Sequence, residues 1–157
     1  MDYFELNTSL GTMAFRGNRD GIQSIQFLEE PSTTSEIIPD SLCEAVSQMK
    51  AFLAGSIKDF TFVMQPEGTD FQKKIWSILS EIPYGTTLSY IKIAQIYGNT
   101  KAVRAVGAAI GKNPILVAIP CHRVIGSDGT LIGYAAGLTR KRELLKHEGY
   151  PSQITLL

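Results

Sequence analysis

Residues Ser89–Asn113 read SYIKIAQIYGNTKAVRAVGAAIGKN, and the order of caps and stops within them sets the fold. Ser89 is placed to cap a helix over Tyr90–Tyr97 and Gly98 to end it; Thr100 is placed to cap a second helix over Lys101–Ile110 before Gly111. Only a tight turn separates the two, which is helix-turn-helix spacing. The second helix carries little bulk, because Ala102, Ala105, Gly107, Ala108 and Ala109 surround a single Arg104. Small residues permit close approach of another helix or of a nucleic-acid groove, and helix packing alone explains the alanines. It does not require Lys101, Arg104 and Lys112, which suit phosphate contact, as does the helix N-terminus.

Upstream, Asp70 can cap a helix whose Phe71, Ile75, Ile78, Leu79 and Ile82 share one face, stopped by Pro83-Tyr84-Gly85. Gln65-Pro-Glu-Gly68 is the natural boundary, so the chain divides into a small α/β domain, 1–68, and a mainly helical domain, 69–157, an α+β arrangement. The first domain reads as strands at Tyr3–Leu6, Thr12–Phe15 and Ile22–Leu28, then a polar loop over Glu29–Pro39. A helix comes next, with Leu42, Ala45, Val46, Met49, Phe52 and Leu53 at helical spacing and Gly55 at its end; Thr61–Gln65 then returns as a strand.

The 157 residues, 44% hydrophobic, suffice for one respectable core and at most two compact units. Formal charge is balanced overall but not along the chain. Residues 1–70 hold four bases and eleven acids, whereas 71–157 hold eleven bases and four acids. That asymmetry is what a nucleic-acid or membrane contact by the second half would produce, and equally what two mutually attracting halves would produce. No apolar run approaches the roughly 20 residues that span a bilayer, two cysteines make no disulfide scaffold, and MDYFELNTSL lacks the basic segment of a signal peptide. A soluble protein of a reducing compartment is expected.

Downstream, Asn113–Val124 reads NPILVAIPCHRV, an apolar run that ends at Pro120 and delivers Cys121, His122 and Arg123 together. A thiol is a nucleophile only as thiolate, so it needs a base, positive charge or hydrogen-bond donors to lower a free pKa of about 8.5. If the chain is extended here, neighbouring side chains face opposite ways, and His122 reaches the Cys121 sulfur only through a water. A buried cysteine beside a solvent-facing histidine would present the same pair.

The longer string NPILVAIPCHRVIGSDGTLIGYAAG, followed by a basic helix ending in LLKHEG, resembles the active-site region of the O6-alkylguanine-DNA alkyltransferases, also called methylated-DNA–protein-cysteine methyltransferases. The PCHRV pentad is highly specific, and the likeness runs upstream through IPYGTTLSYIKIAQIYGNTKAVRAVGAAIGKNP, covering Phe71–Gly149. The resemblance implies an RNase H-like α/β first domain and a winged-helix-like second domain that binds DNA and carries the chemistry. It implies suicide repair of double-stranded DNA containing O6-alkylguanine, with O4-alkylthymine as a further substrate: Cys121 attacks the alkyl carbon and keeps the group, without cofactor or metal. It assigns a glutamate–histidine–water–cysteine chain to Glu148, His122 and Cys121, and an orienting role to Asn113. Tyr134 of GYAAG becomes the donor to guanine N3. The carbonyls of Cys121 and Val124 accept from the exocyclic amine, and the Ala135 N–H meets O6, where some relatives carry serine. For base flipping through the minor groove it assigns Arg104 to replace the extruded base and Tyr90 to press the adjacent phosphate, while Lys101, Ala102, Ala105, Gly107 and Arg123 contact DNA. Val103 is bulkier than the alanine common at its place. A monomer is expected, cytoplasmic, or nuclear in a eukaryote.

Other residues are read more simply. Cys43 is expected as a small buried hydrophobe, and a first-domain zinc site of the kind some relatives hold is not expected, since that domain has no histidine. His147 favours a helix C-terminus, Trp76 packs at a core edge, and Arg140-Lys141-Arg142 forms a solvated helix face near DNA or a nuclear-import patch. Three rivals remain. Alkyltransferase-like damage sensors keep the fold but replace the cysteine, which is present here; a cysteine hydrolase would turn over repeatedly, using His147; a helix-turn-helix regulator would bind one DNA sequence and ignore Cys121→Ala.

Overall fold

The computed structural model describes residues 1–32 and 37–150. Residues 33–36 of the predicted loop and 151–157 of the predicted second domain lie outside the described residues. The described residues form two compact units, one from 1–67 with 114–116 and the other from 68–113 with 117–150.

In the first unit β1 (Asp2–Thr8), β2 (Gly11–Asn18) and β3 (Gly21–Leu28) form an antiparallel meander in that order. Its register pairs Phe4 with Phe15 and Leu6 with Met13 on β1 and β2, and Phe15 with Ile25 on β2 and β3. These large side chains therefore stack on one face, as the two-residue period of a strand requires. A 3-10 turn, Asp40–Leu42, leads into α1 (Cys43–Leu53), whose buried Ala45, Val46, Met49 and Phe52 join the same core. Thr61–Gln65 does not form the expected strand. It makes a single parallel bridge, Ile22 to Met64, with Ile22 N–H donating to Val63 and Gln65 N–H donating to Ile22. Cys43 is exposed rather than buried, because it opens α1 ahead of the core-facing Ala45 and Val46. Pro114–Leu116 pairs with β3 through Ile25 N–H to Pro114 O and Leu116 N–H to Ile25 O. Sequence local to those three residues gives no sign of this return.

The second unit contains α2 (Asp70–Leu79), β4 (Leu88–Ser89), α3 (Tyr90–Tyr97), α4 (Val103–Gly111), β5 (Val124–Ile125) and α5 (Leu138–His147), with β4 and β5 paired in parallel. Thr69, not Asp70, caps α2: its hydroxyl accepts from Gln72 N–H while the Gln72 side chain accepts from Thr69 N–H, a reciprocal capping box. Ser89 caps α3 as read, accepting from Lys92 N–H, and Gly98 ends it with φ 106°, where only glycine sits without penalty. Asn99 rather than Thr100 is the next cap; its side chain accepts from Lys101 N–H and starts a 3-10 turn, Thr100–Ala102, that feeds α4. Trp76 is 2% exposed and donates its indole N–H to Ala109 O at 2.8 Å, so it ties α2 to α4 from within the core. α4 turns Val106, Ala109 and Ile110 inward and leaves Lys101, Arg104, Ala105 and Ala108 exposed around the helix start and outer face. Among the described residues no helix is long and apolar enough to cross a membrane.

Candidate active site

Pro120 hands the chain into a 3-10 turn, Cys121–Arg123, closed by Arg123 N–H to Pro120 O. The chain is therefore not extended at the cysteine. With three residues per turn the three side chains leave in three directions, and all three are buried. Cys121 lines a cavity of about 220 Å³ together with Tyr90, Gly107, Ile110, Gly111, Gly133, Tyr134 and Ala135. That space is several times the roughly 30 Å³ of a water and below the roughly 300 Å³ of a drug-sized pocket, the scale of one planar heterocycle.

Asn113 holds the Cys121 sulfur. Its side-chain amide donates to Ile119 O at 2.8 Å and to Cys121 Sγ at 3.1 Å. Burial pushes the Cys121 thiol up to about 11, against the Asn113 hydrogen bond and the charge of Lys141, which pull it down. The thiol is thus protonated at neutral pH, and to act as a nucleophile it would need a base inside the protein.

His122, next in the chain, is held in the state that a base requires. It is fully buried, and its Nε2 lies 2.6 Å from Glu148 Oε2. Burial lowers the imidazole pKa, with Glu148 opposing, so the neutral ring is favoured. Burial alone would raise Glu148, but hydrogen bonds from His122 and Arg123 hold its carboxyl down at about 2. An ionised carboxylate only accepts, so Nε2 carries the ring proton and Nδ1 is left with a lone pair. Nδ1 is buried and makes no hydrogen bond within the described protein.

Glu148 caps the C-terminus of α5, where the helix dipole disfavours it. Arg123 offsets this. Its Nε and Nη2 donate to the two Glu148 oxygens at 2.8 and 3.0 Å, and Nη1 donates to Ile82 O at 2.7 Å. Arg123, which the sequence places among the DNA contacts, is thus turned inward with every arm occupied, because the buried carboxylate demands a counter-charge. Gly85 completes the set: its N–H donates to Glu148 Oε1 at 3.2 Å, and a Cβ there would meet the Glu148 carbonyl at 3.1 Å.

On the far wall Tyr134 has a buried hydroxyl without a hydrogen-bond partner among the described residues, and burial raises its pKa well above 10. The group is a neutral donor. Tyr90 lines the cavity too, but its hydroxyl donates to Ile132 O at 2.8 Å, so it is committed inside the unit. Gly107 faces the same wall, where an added Cβ would meet the Tyr90 ring at 3.9 Å. Val124 is buried and pairs with Leu88, whereas Ala135 is exposed at the cavity edge.

Lys141 is the residue sequence reading misplaced furthest. It is not on the solvated face of α5 but fully buried, and its Nζ donates to Ile132 O at 3.2 Å and Gly133 O at 3.1 Å. Burial lowers its pKa to about 8, with Cys121 pulling the other way. The i, i+3, i+4 spacing of Lys141 with the buried Leu144 and Leu145 was the available signal. Among the described residues no cluster of three His, Cys, Asp or Glu side chains is arranged to hold a metal ion.

Known proteins resemble this chain in sequence and in fold. The family described as 6-O-methylguanine DNA methyltransferase, DNA binding domain, matches residues 70–150. A methylated-DNA–protein-cysteine methyltransferase of Methanosarcina acetivorans is 43% identical over 95% of this chain and 99% of its own length. One from Mycobacterium tuberculosis is 41% identical over 98% of this chain and 97% of its own. Among solved structures, the Mycobacterium tuberculosis O6-methylguanine methyltransferase superposes with a TM-score of 0.83 at 39% identity, covering 93% of this chain and 91% of that one. The Mycobacterium tuberculosis OGT in complex with DNA superposes with the same TM-score at 41% identity, with the same coverage. By identity that spans both units, this chain belongs to the methylated-DNA–protein-cysteine methyltransferase family.

Proposed function

We propose that the protein repairs double-stranded DNA by moving the alkyl group of O6-alkylguanine, or of O4-alkylthymine, onto Cys121 in a single turnover. The observation that carries this reading is a cysteine that lines a base-sized cavity and whose sulfur Asn113 fastens at 3.1 Å. Neutral His122, held by Glu148, takes the thiol proton through a water at Nδ1. The Cys121 sulfur then attacks the alkyl carbon in line, the carbon–O6 bond breaks, and the electron pair leaves on the guanine. Tyr134 donates to guanine N3 as that charge develops, which lowers the barrier. The carbonyls of Cys121 and Val124 and the N–H of Ala135 recognise the base edge. Sulfur keeps the group, so the protein is consumed.

The second unit, read as the DNA-binding and catalytic domain, presents α4 to the minor groove. Exposed Ala105 and half-buried Ala102 and Gly107 permit close approach, Lys101 meets phosphate, and Arg104 fills the place of the extruded base. Tyr90 supports flipping by its position in the cavity wall rather than through its hydroxyl. Such contacts are sensitive to salt and poor in sequence information. The protein acts as a monomer in the compartment that holds the DNA, the cytoplasm in bacteria and archaea.

The test is intact mass and peptide mapping after reaction with one equivalent of duplex carrying O6-methylguanine. One added methyl on Cys121, with no second turnover, is expected. Binding without mass gain would make the protein a lesion sensor, and repeated turnover would remove the suicide scheme.

A further inference from the structure

We propose that Tyr84 is a positioning residue of the proton relay: its ring, laid over the Arg123 guanidinium, steadies the ion pair with Glu148 that orients His122. The inference rests on Cys121 being the alkyl acceptor and deepens that reading. In the sequence, Pro83-Tyr84-Gly85 does no more than end a helix. In the structure, residues 82–85 meet the relay at successive points. Ile82 O accepts from Arg123 Nη1 at 2.7 Å, the Tyr84 hydroxyl donates to His147 O at 3.3 Å, and the Gly85 N–H donates to Glu148 Oε1 at 3.2 Å. Arg123 Cζ stands 5.7 Å from the centre of the Tyr84 ring, within the roughly 6 Å over which a ring face attracts a cation. The turn is itself fixed, since the N–H and the hydroxyl of Thr86 both donate to Pro83 O, at 3.1 and 2.8 Å.

The contacts of Ile82 and Gly85 are made by backbone, whereas that of Tyr84 depends on its side chain. Tyr84 is half-buried, while Arg123 and Glu148 are 6% and 5% exposed. A partly exposed ring against a buried guanidinium screens it from water on that side, and a buried ion pair holds only while its geometry is kept. The ring face also attracts the cation without competing for its donors, since Nε, Nη1 and Nη2 are all engaged elsewhere. Burial, with the Glu148 charge, raises the Tyr84 pKa, so its hydroxyl stays a neutral donor. The charged groups that face His122 are Glu148 and Lys141 from α5 and Arg123 from its own turn. Burial lowers the imidazole pKa most, Glu148 raises it, and the two cations lower it. Loosening Arg123 and admitting water therefore push His122 the same way, toward the protonated ring that accepts no proton.

The experiment compares wild type with Tyr84→Leu, Tyr84→Met and Tyr84→Phe. Methyl transfer is timed by intact mass on complexes already formed with O6-methylguanine duplex, across a series of pH values, so that transfer is separated from binding. Without the ring, the acid limb of the rate profile should move up in the leucine and methionine variants. Transfer at the acid end should slow by about threefold or more, the loss that half a pH unit brings, and should converge on wild type at the alkaline end. Tyr84→Phe recovers most of the rate and the wild-type limb. The methionine variant decides the matter if the leucine variant does not fold. A second readout needs no transfer: urea unfolding, followed by Trp76 fluorescence, of Tyr84→Leu, Glu148→Gln and the double variant. The two substitutions should fail to add, because the ring serves the pair that Glu148 makes with Arg123. An unmoved acid limb in both aliphatic variants, whatever stability they lose, or additive unfolding costs, overturns the proposal. A phenylalanine variant as slow as the leucine variant overturns the part given to the ring. Failure of the wild type to gain a methyl on Cys121 would instead overturn the alkyl-transfer reading, while the unfolding cycle still decides on Tyr84.

Discussion

Glu148→Gln removes the charge on which the site is hung. The carboxylate accepts from His122 Nε2 at 2.6 Å, from Arg123 Nε and Nη2 at 2.8 and 3.0 Å, and from Gly85 N–H at 3.2 Å. Breaking a buried ion pair by deleting one partner costs about 3–5 kcal/mol, because the other charge stays buried and uncompensated. The titration of Glu148 gives a separate figure. Its carboxyl falls from 4.5 to about 2 on folding, which at about 1.4 kcal/mol per pH unit contributes roughly 3 kcal/mol. The two routes agree. A lowered carboxyl pKa stabilises the fold at pH values above 4.5, and the contribution is lost as pH falls through about 2. Urea unfolding followed by Trp76, the single tryptophan and a core residue of the second unit, reads the difference directly. The variant should lie about 3–4 kcal/mol below wild type at pH 7, and the gap should close between pH 4.5 and about 2. A gap under about 1 kcal/mol at pH 7, the scale of an exposed pair, or one that persists unchanged into acid, would refute the assignment of Glu148 as the ionised anchor of His122 and Arg123.

Other substitutions separate the parts of the mechanism. Tyr134→Phe should slow methyl transfer by about 10²-fold, the scale of losing one positioned donor, while duplex affinity in a gel-shift titration stays unchanged. Asn113→Ala frees both Ile119 O and the sulfur, so unfolding should cost about 1–2 kcal/mol less and Cys121 labelling should need higher pH; an unmoved labelling profile would count against Asn113 as an orienter. Arg104→Ala should slow transfer from a fully paired duplex far more than from a single strand, where no base has to be replaced in the stack; equal losses on both would remove Arg104 from flipping.

Much of this was legible locally. Ser89, Gly98 and the apolar spacing around them mark the helix-turn-helix because capping and periodicity are short-range effects, and the PCHRV pentad marks the nucleophile because it is contiguous. Where two local rules competed, the reading slipped by one residue: Thr69 rather than Asp70 and Asn99 rather than Thr100 are the caps, since the side chain that reaches the free N–H wins over the better-placed charge. Adjacency misled at Cys121–Arg123, where a 3-10 turn replaces the extended chain and sends Arg123 inward instead of to DNA.

The sequence by itself determined the helices, the site of the thiol, and the family to which the chain belongs. Only the tertiary structure decided which charges are buried. Glu148 stands 25 residues from Arg123 and 26 from His122, and Lys141 reaches the Ile132 and Gly133 carbonyls from within a run of bases that looks solvated. Helical spacing puts Lys141 on the face of Leu144 and Leu145, but whether a lysine between two arginines leaves water depends on what the rest of the fold lays over it. Electrostatic energy grows as water is excluded, so the same residue types carry little consequence on a surface and set the chemistry once they are enclosed.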